Sequence, residues 1–195
     1  MISGDLYIIN HMPRYRRYRR TIVRAPKKKW ATNIISLNGG VETGTGNGHF
    51  SFWKMLAENK TETSSPIPVI VKTGNFKVQF DMIMNVGSSG VISASAFVLF
   101  IPQGVLTETT ANYDTVESVV KNHPEWIMSW RQLDFGNANQ AGSVDTSVVK
   151  FSSRMKRNLN SGDAVVFTIL GTGDFSGVSF KSSVNGMAQF WTCAN

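Results

Sequence analysis

The side chains with the most chemical potential stand together near the start of the chain. "MPRYRRYRR", Met12 to Arg20, carries Arg14, Arg16, Arg17, Arg19 and Arg20, with Tyr15 and Tyr18 between them. Arg24, Lys27, Lys28 and Lys29 extend the run, and Trp30 follows it. Guanidinium groups pair phosphate oxygens two at a time, and each phosphate neutralised releases condensed counterions. Tyrosine rings among arginines can stack on unpaired bases, at about 1–3 kcal/mol per base. The chemistry on offer is binding of a polyanion without regard to sequence, with a bias toward single strands. Three lesser uses compete: a nuclear-import signal, attachment to an anionic membrane, and a plain solvated tail. The membrane use lacks an apolar helical face to insert.

Elsewhere the chain offers little that could catalyse. His11, His49 and His123 lie far apart in sequence, with no ligand-type spacing around them. There is no Gly-x-Ser-x-Gly elbow. "GTGNGH", Gly44 to His49, resembles a phosphate cradle but lacks the GK[ST] ending, and no helical pattern follows it. Asp134, Asp145, Asp163 and Asp174 could in principle gather around calcium, but turn chemistry accounts for them better. Asn59-Lys60-Thr61 matches a glycosylation sequon, read here as chance. Met82, Met84, Trp126 and Trp130, at strand spacing, read as core or subunit contact. No catalytic residue, metal or cofactor is expected, and no enzymatic activity.

The elements that must carry the arginine run come from the rest of the chain. Its 195 residues are enough for one domain with a real core. Hydrophobic residues at 42% indicate a globular body, while only 17% are charged, which leaves room for the small polar residues of a turn-rich β protein. The net charge of +7 is segregated. Residues 1–30 hold nine Lys and Arg against one acid, Asp5, while the remainder holds eleven bases and twelve acids. A cationic arm, residues 1–29, is thus joined to a nearly neutral body, residues 30–195. Pro13 and Pro26 and mutual repulsion predict a disordered arm. Met12 directly precedes the basic block, so residues 1–11 are either an upstream extension or an ordinary tail. One cysteine, Cys193, excludes an internal disulfide. No stretch approaches the roughly 18 apolar residues of a membrane span. The start lacks a basic region and a small-residue cleavage site, so no signal peptide is expected.

Within the body, period-two alternation recurs. Strands are expected at Ile34–Leu37, Phe50–Met55, Ile67–Lys72, Phe76–Met84, Val91–Ile101, Trp126–Leu133, Ser147–Ser153, Ala164–Leu170 and Val184–Cys193, with another at Val178–Lys181. Pro66 and Pro68 suggest that Ile67–Lys72 is an edge strand. In "FKVQFDMIM", Phe76, Val78, Phe80, Met82 and Met84 share one face. One short helix is expected at "DTVESVVKNHP", capped by Asp114 with Glu117 closing a capping box, and stopped by Pro124. The pattern is all-β. Connections too long for tight hairpins favour Greek-key wiring, hence a single eight-stranded jelly roll with one helix in a long loop.

The layout resembles the capsid proteins of small circular single-stranded DNA viruses, the circovirus-like group. The residues that carry the resemblance are "MPRYRRYRRTIVRAPKKKW" and the later run "FSSRMKRNLNSGDAVVFTIL", where a basic stretch and a turn lead into "GD" and an apolar strand. The resemblance implies a jelly-roll subunit that self-assembles into a closed icosahedral shell of roughly sixty copies, the T=1 arrangement. It implies that the arm lines the interior, binds single-stranded DNA and engages host nuclear-import receptors. The protein would then reside in the virion and, during assembly, in the host nucleus. Loops would form the outer surface, facing a cell-surface receptor of unknown identity, and exposed aromatics such as Trp53, Trp126 or Trp191 could serve the subunit contacts. Coat proteins of satellite single-stranded RNA viruses share this size and layout. A non-capsid nucleic-acid-binding module is a further alternative, and a cupin-like enzyme would need clustered histidines that this chain lacks.

Overall fold

A computed structural model describes residues 30–43, 48–61, 69–86, 92–107, 109–135, 142–146, 148–173 and 182–194. They form a mostly β structure with two antiparallel sheets. In chain order the strands are β1 (Ala31–Ser36), β2 (Gly39–Gly40), β3 (Glu42–Thr43), β4 (His49–Glu58), β5 (Val71–Val86) and β6 (Ser93–Ile101). Helix α1 (Tyr113–Asn122) and a 3-10 turn at Pro124–Trp126 follow. The remaining strands are β7 (Ile127–Leu133), β8 (Gly142–Asp145), β9 (Val149–Leu159), β10 (Ala164–Thr172) and β11 (Ser182–Ala194). One sheet runs β1-β11-β5-β8, with β2 also on β11 and β9 also on β5. The other runs β3-β4-β10-β6-β7.

The two sheets pack face to face because alternation gives each an apolar inner surface. Phe76, Val78, Phe80, Met82 and Met84 of β5, expected on one face, are all buried in the shared core. Met82 and Met84 are therefore core. Phe167 of β10 ties the layers together: its ring lies 5.2 Å from Phe80 across the sandwich and 5.9 Å from Phe52 on its own sheet. Gly171 must remain without a side chain, because a Cβ there would sit 2.1 Å from Cζ of Phe50. Along one side the sheets are joined by serines. Ser153 Oγ donates to Met128 O at 2.8 Å, and Ser129 Oγ donates to Ser152 O at 3.2 Å.

Strand β10, "AVVFTILGT", is apolar on both faces and buried on both up to Gly171. Its second face, with Leu99 and Ile101, packs under α1 through Tyr113, Val116 and Val119. The five-stranded sheet is thus covered on both sides, and Trp53 and Trp126 are absorbed into this second cluster.

Several local expectations are corrected. Val71 and Lys72 do not belong to a separate edge strand; they begin β5, which runs sixteen residues between β11 and β9. The "TGN" that reads as a break is a β-bulge: Asn75 takes φ 54°, and the register shifts against both neighbours there. The helix cap is Asn112, not Asp114. Thr115 N donates to Asn112 Oδ1 at 2.9 Å and Asn112 N donates to Thr115 Oγ1 at 3.0 Å, a reciprocal box that starts before the expected one. Strand β9 extends to Leu159, so "RMKRN" is strand rather than the approach to a turn. Strand β8 was not anticipated. The expected strand at Val178–Lys181 and the glycines Gly44 and Gly46 lie outside the described residues.

One end of the sandwich is fixed by two buried polar side chains. Asp163 accepts from Gln103 N at 3.1 Å through Oδ1 and from Asn160 N at 2.9 Å through Oδ2. Asn59 donates to Val69 O at 2.7 Å and Leu159 O at 2.9 Å, and its Oδ1 accepts from Thr61 N and Thr61 Oγ1. Both amide hydrogens of Asn59 are committed, and the residue is 2% exposed. The sequon is thus explained as an Asx turn.

Candidate nucleic-acid interface

The sequence-predicted binding residues, Arg14, Tyr15, Arg16, Arg17, Tyr18, Arg19, Arg20, Arg24, Lys27, Lys28 and Lys29, all lie outside the described residues. The described chain starts at Trp30, immediately before β1. Among the described residues strand β1 pairs only with β11, on the margin of the six-stranded sheet. Trp30 therefore stands at the margin of this sheet, and the composition of the sheet's outer face follows from strand alternation.

On β5 the outward side chains are Lys77, Gln79, Asp81 and Ile83, opposite the buried phenylalanines and methionines. Register places Gln189 and Ser152 beside Lys77, and Met187 and Lys150 beside Gln79. These residues line a shallow hollow of about 420 Å³. Lys72 lies on the face of Gly74, two residues along, and Gly74 is opposite both Lys156 and Trp191. Lys72, Lys77, Lys150 and Lys156 thus share one face with Asp81, and none of the four lysines is ion-paired within the described residues.

Alternation divides the basic run on β9 by role. Arg157 turns toward the other sheet: Nη2 donates to Glu125 O at 2.7 Å, and the guanidinium lies 5.4 Å from the Phe100 ring centroid. It holds structure together. Lys156, one residue earlier, faces out, with Nζ 5.6 Å from the ring centroid of Trp30. Trp30, Trp191, Gly74, Asn75 and Lys156 enclose a cleft of about 230 Å³. The bulge at Asn75 makes room for it, and Gly74 keeps its floor bare. A Cβ on Gly74 would come 2.8 Å from Lys156 Cγ and 2.9 Å from Met155 O.

These residues were missed in the sequence. Period two in "FKVQF" does set Lys77 opposite the phenylalanines, though not as a binding residue, and the same reading of "KFSSRMKRN" puts Lys150 and Lys156 on the outer side. Nothing short of the sheet register could have set Trp191 beside Trp30. Trp30 and Trp130 are the more exposed tryptophans, at 38% and 60%.

The titratable groups around α1 serve anchorage. Tyr113 OH donates to Glu117 Oε1 at 3.3 Å, and Lys121 Nζ lies 2.9 Å from the same oxygen. Burial, and then the Glu117 charge, pushes the Tyr113 hydroxyl above its ordinary value. The hydrogen bond from Lys121 holds the Glu117 carboxyl below the usual carboxylate range. His49 packs on Tyr113, with ring centroids 4.3 Å apart, and His123 stacks on Trp126 at 3.8 Å. Among the described residues no three His, Cys, Asp or Glu side chains gather as a metal site, and no helix is long and apolar enough to cross a membrane.

No protein-family model matches the chain, and no curated protein sequence matches it.

Proposed function

We propose that this chain is a capsid protein of a small single-stranded DNA virus. Its body assembles into a closed shell of roughly sixty copies, and its arm grips the genome inside. The observation that carries the reading is charge segregation: nine of the twenty Lys and Arg fall in the first thirty residues, against one of the thirteen acids. A short sequence-blind arm suits a protein present in many copies, where the summed charge matters and no single contact must be specific.

Strand order supports the container body. Residues 31–40 follow β11 as one edge line, through β1 and then β2. Strands β8 and β9 lie end to end along β5. With the two-residue β3 set aside at the margin of the five-stranded sheet, the lines run first, last, third and sixth in one sheet and second, seventh, fourth and fifth in the other, an order that supports the jelly-roll reading. Helix α1 sits in the connection between the fourth and fifth lines. Nuclear import is a compatible second use of the arm.

Sizing of purified full-length protein, with electron microscopy of the same fraction, tests the reading. The expected result is a megadalton species of uniform round particles, from which nuclease typing recovers single-stranded DNA. A strictly monomeric protein at high concentration and moderate salt would overturn it. Particles containing RNA would keep the container and replace its cargo.

A further inference from the structure

We propose that the cleft between Trp30 and Trp191 is a stacking site for one unpaired nucleobase, with Lys156 taking the adjoining phosphate. This rests on the nucleic-acid reading above and adds to it a site on the folded body. The cleft is lined by two tryptophans, Gly74, Asn75 and Lys156, whose Nζ lies 5.6 Å from the Trp30 ring centroid. Its volume, about 230 Å³, falls below the roughly 300–1,000 Å³ of sites for drug-sized ligands, so it admits a single planar group rather than a larger molecule. Aromatic side chains flanked by cations are how proteins hold single strands, because every base has a π-face and every nucleotide a charge.

Position supports the same occupant. Trp30 directly follows Lys29 in the sequence, so the cleft holds the residue next to the basic run. Beyond it, Lys72, Lys77 and Lys150 continue the positive face, which Asp81 interrupts on the described side of the sheet. An apolar peptide would gain nothing from these ammonium groups, which have no carboxylate partner among the described residues. A phosphodiester chain would.

The test is fluorescence anisotropy of full-length protein with oligo(dT) and with an abasic oligomer of equal phosphate number, each across a range of salt. Phosphate contacts alone cannot tell the two apart. The cleft predicts a preference for oligo(dT) of roughly tenfold, the size of one stacked base. Trp30→Ala should bring the ratio close to one, and Trp191→Phe should preserve most of it. Lys156→Gln should leave the ratio in place and make the log–log salt slope shallower by about 0.7, one phosphate contact on a single strand. Equal affinity of the unmodified protein for both oligomers overturns the cleft and leaves the container standing. So does a preference that Trp30→Ala and Trp191→Ala both retain, which would place base contact on Tyr15 and Tyr18 instead. Failure to bind either oligomer overturns the nucleic-acid reading itself.

Discussion

Replacing Asp163 by asparagine removes one of two charge-assisted bonds that close an end of the sandwich. The carboxylate is 6% exposed and accepts from two backbone N–H groups, Gln103 N at 3.1 Å and Asn160 N at 2.9 Å. Gln103 follows β6 and Asn160 follows β9, so the side chain joins ends of both sheets. Asparagine supplies one oxygen and turns an NH₂ group toward the second donor. A hydrogen bond to a charged group contributes about 1.5–3 kcal/mol, and the orphaned N–H adds its own desolvation cost. A loss of about 2 kcal/mol is the conservative figure. For a domain of this size each kcal/mol moves the midpoint about 2–4 °C, so Asp163→Asn should lower Tm by about 4–8 °C. Asp163→Ala, which abandons both donors, should lower it about twice as far. Asp134 provides the comparison: it is exposed and makes no side-chain hydrogen bond among the described residues. Asp134→Asn should change stability by less than about 0.5 kcal/mol. Scanning calorimetry of the three variants at neutral pH is the assay. If Asp163→Asn melts with Asp134→Asn, the buried carboxylate does not fix that end and the reasoning fails.

Three other outcomes follow from the same geometry. Phe167→Ala should destabilise the body by about 3–5 kcal/mol in urea unfolding, since the ring contacts both sheets; a loss below about 1 kcal/mol would mean that the layers do not depend on it. Glu117 has its folded pKa depressed by Lys121, so its contribution is present above the unfolded carboxylate value and is lost as pH falls through the folded one. Acidification below that range should therefore loosen α1 more in the parent than in Lys121→Gln, read by near-ultraviolet dichroism, and identical acid profiles would remove the ion pair from the account. Asn59 should carry no glycan even when the protein is passed through a secretory pathway, because its amide hydrogens are already bonded; an intact mass with an added glycan would contradict this.

Much of the body was legible because alternation is a direct consequence of strand geometry. "FKVQFDMIM" placed its residues correctly by strict period two, and the strand expected at Ala164–Leu170 is found as β10. What failed was reading a boundary from local chemistry alone. Gly74-Asn75 looks like a turn, and only pairing with β9 and β11 makes it a bulge inside one long strand. Asp114 and Asn112 are both good caps by type; Thr115, placed to reciprocate, selects Asn112. The sequon at Asn59 is chemically sound as a sequence, and only burial shows its amide to be occupied. Of the candidate binding residues, those of the arm are read from composition alone and lie outside the described residues. The shared face of the four lysines was not legible, because it depends on which strands adjoin.

The central claim is that the cationic leader, rather than the body, brings nucleic acid into the assembly. Its most direct measurement is the nucleic-acid content per subunit of particles made by the full-length chain and by a chain beginning at Trp30. The account predicts particles from both, with nucleic acid largely confined to the full-length ones. Equal nucleic acid per subunit in the two preparations would contradict it.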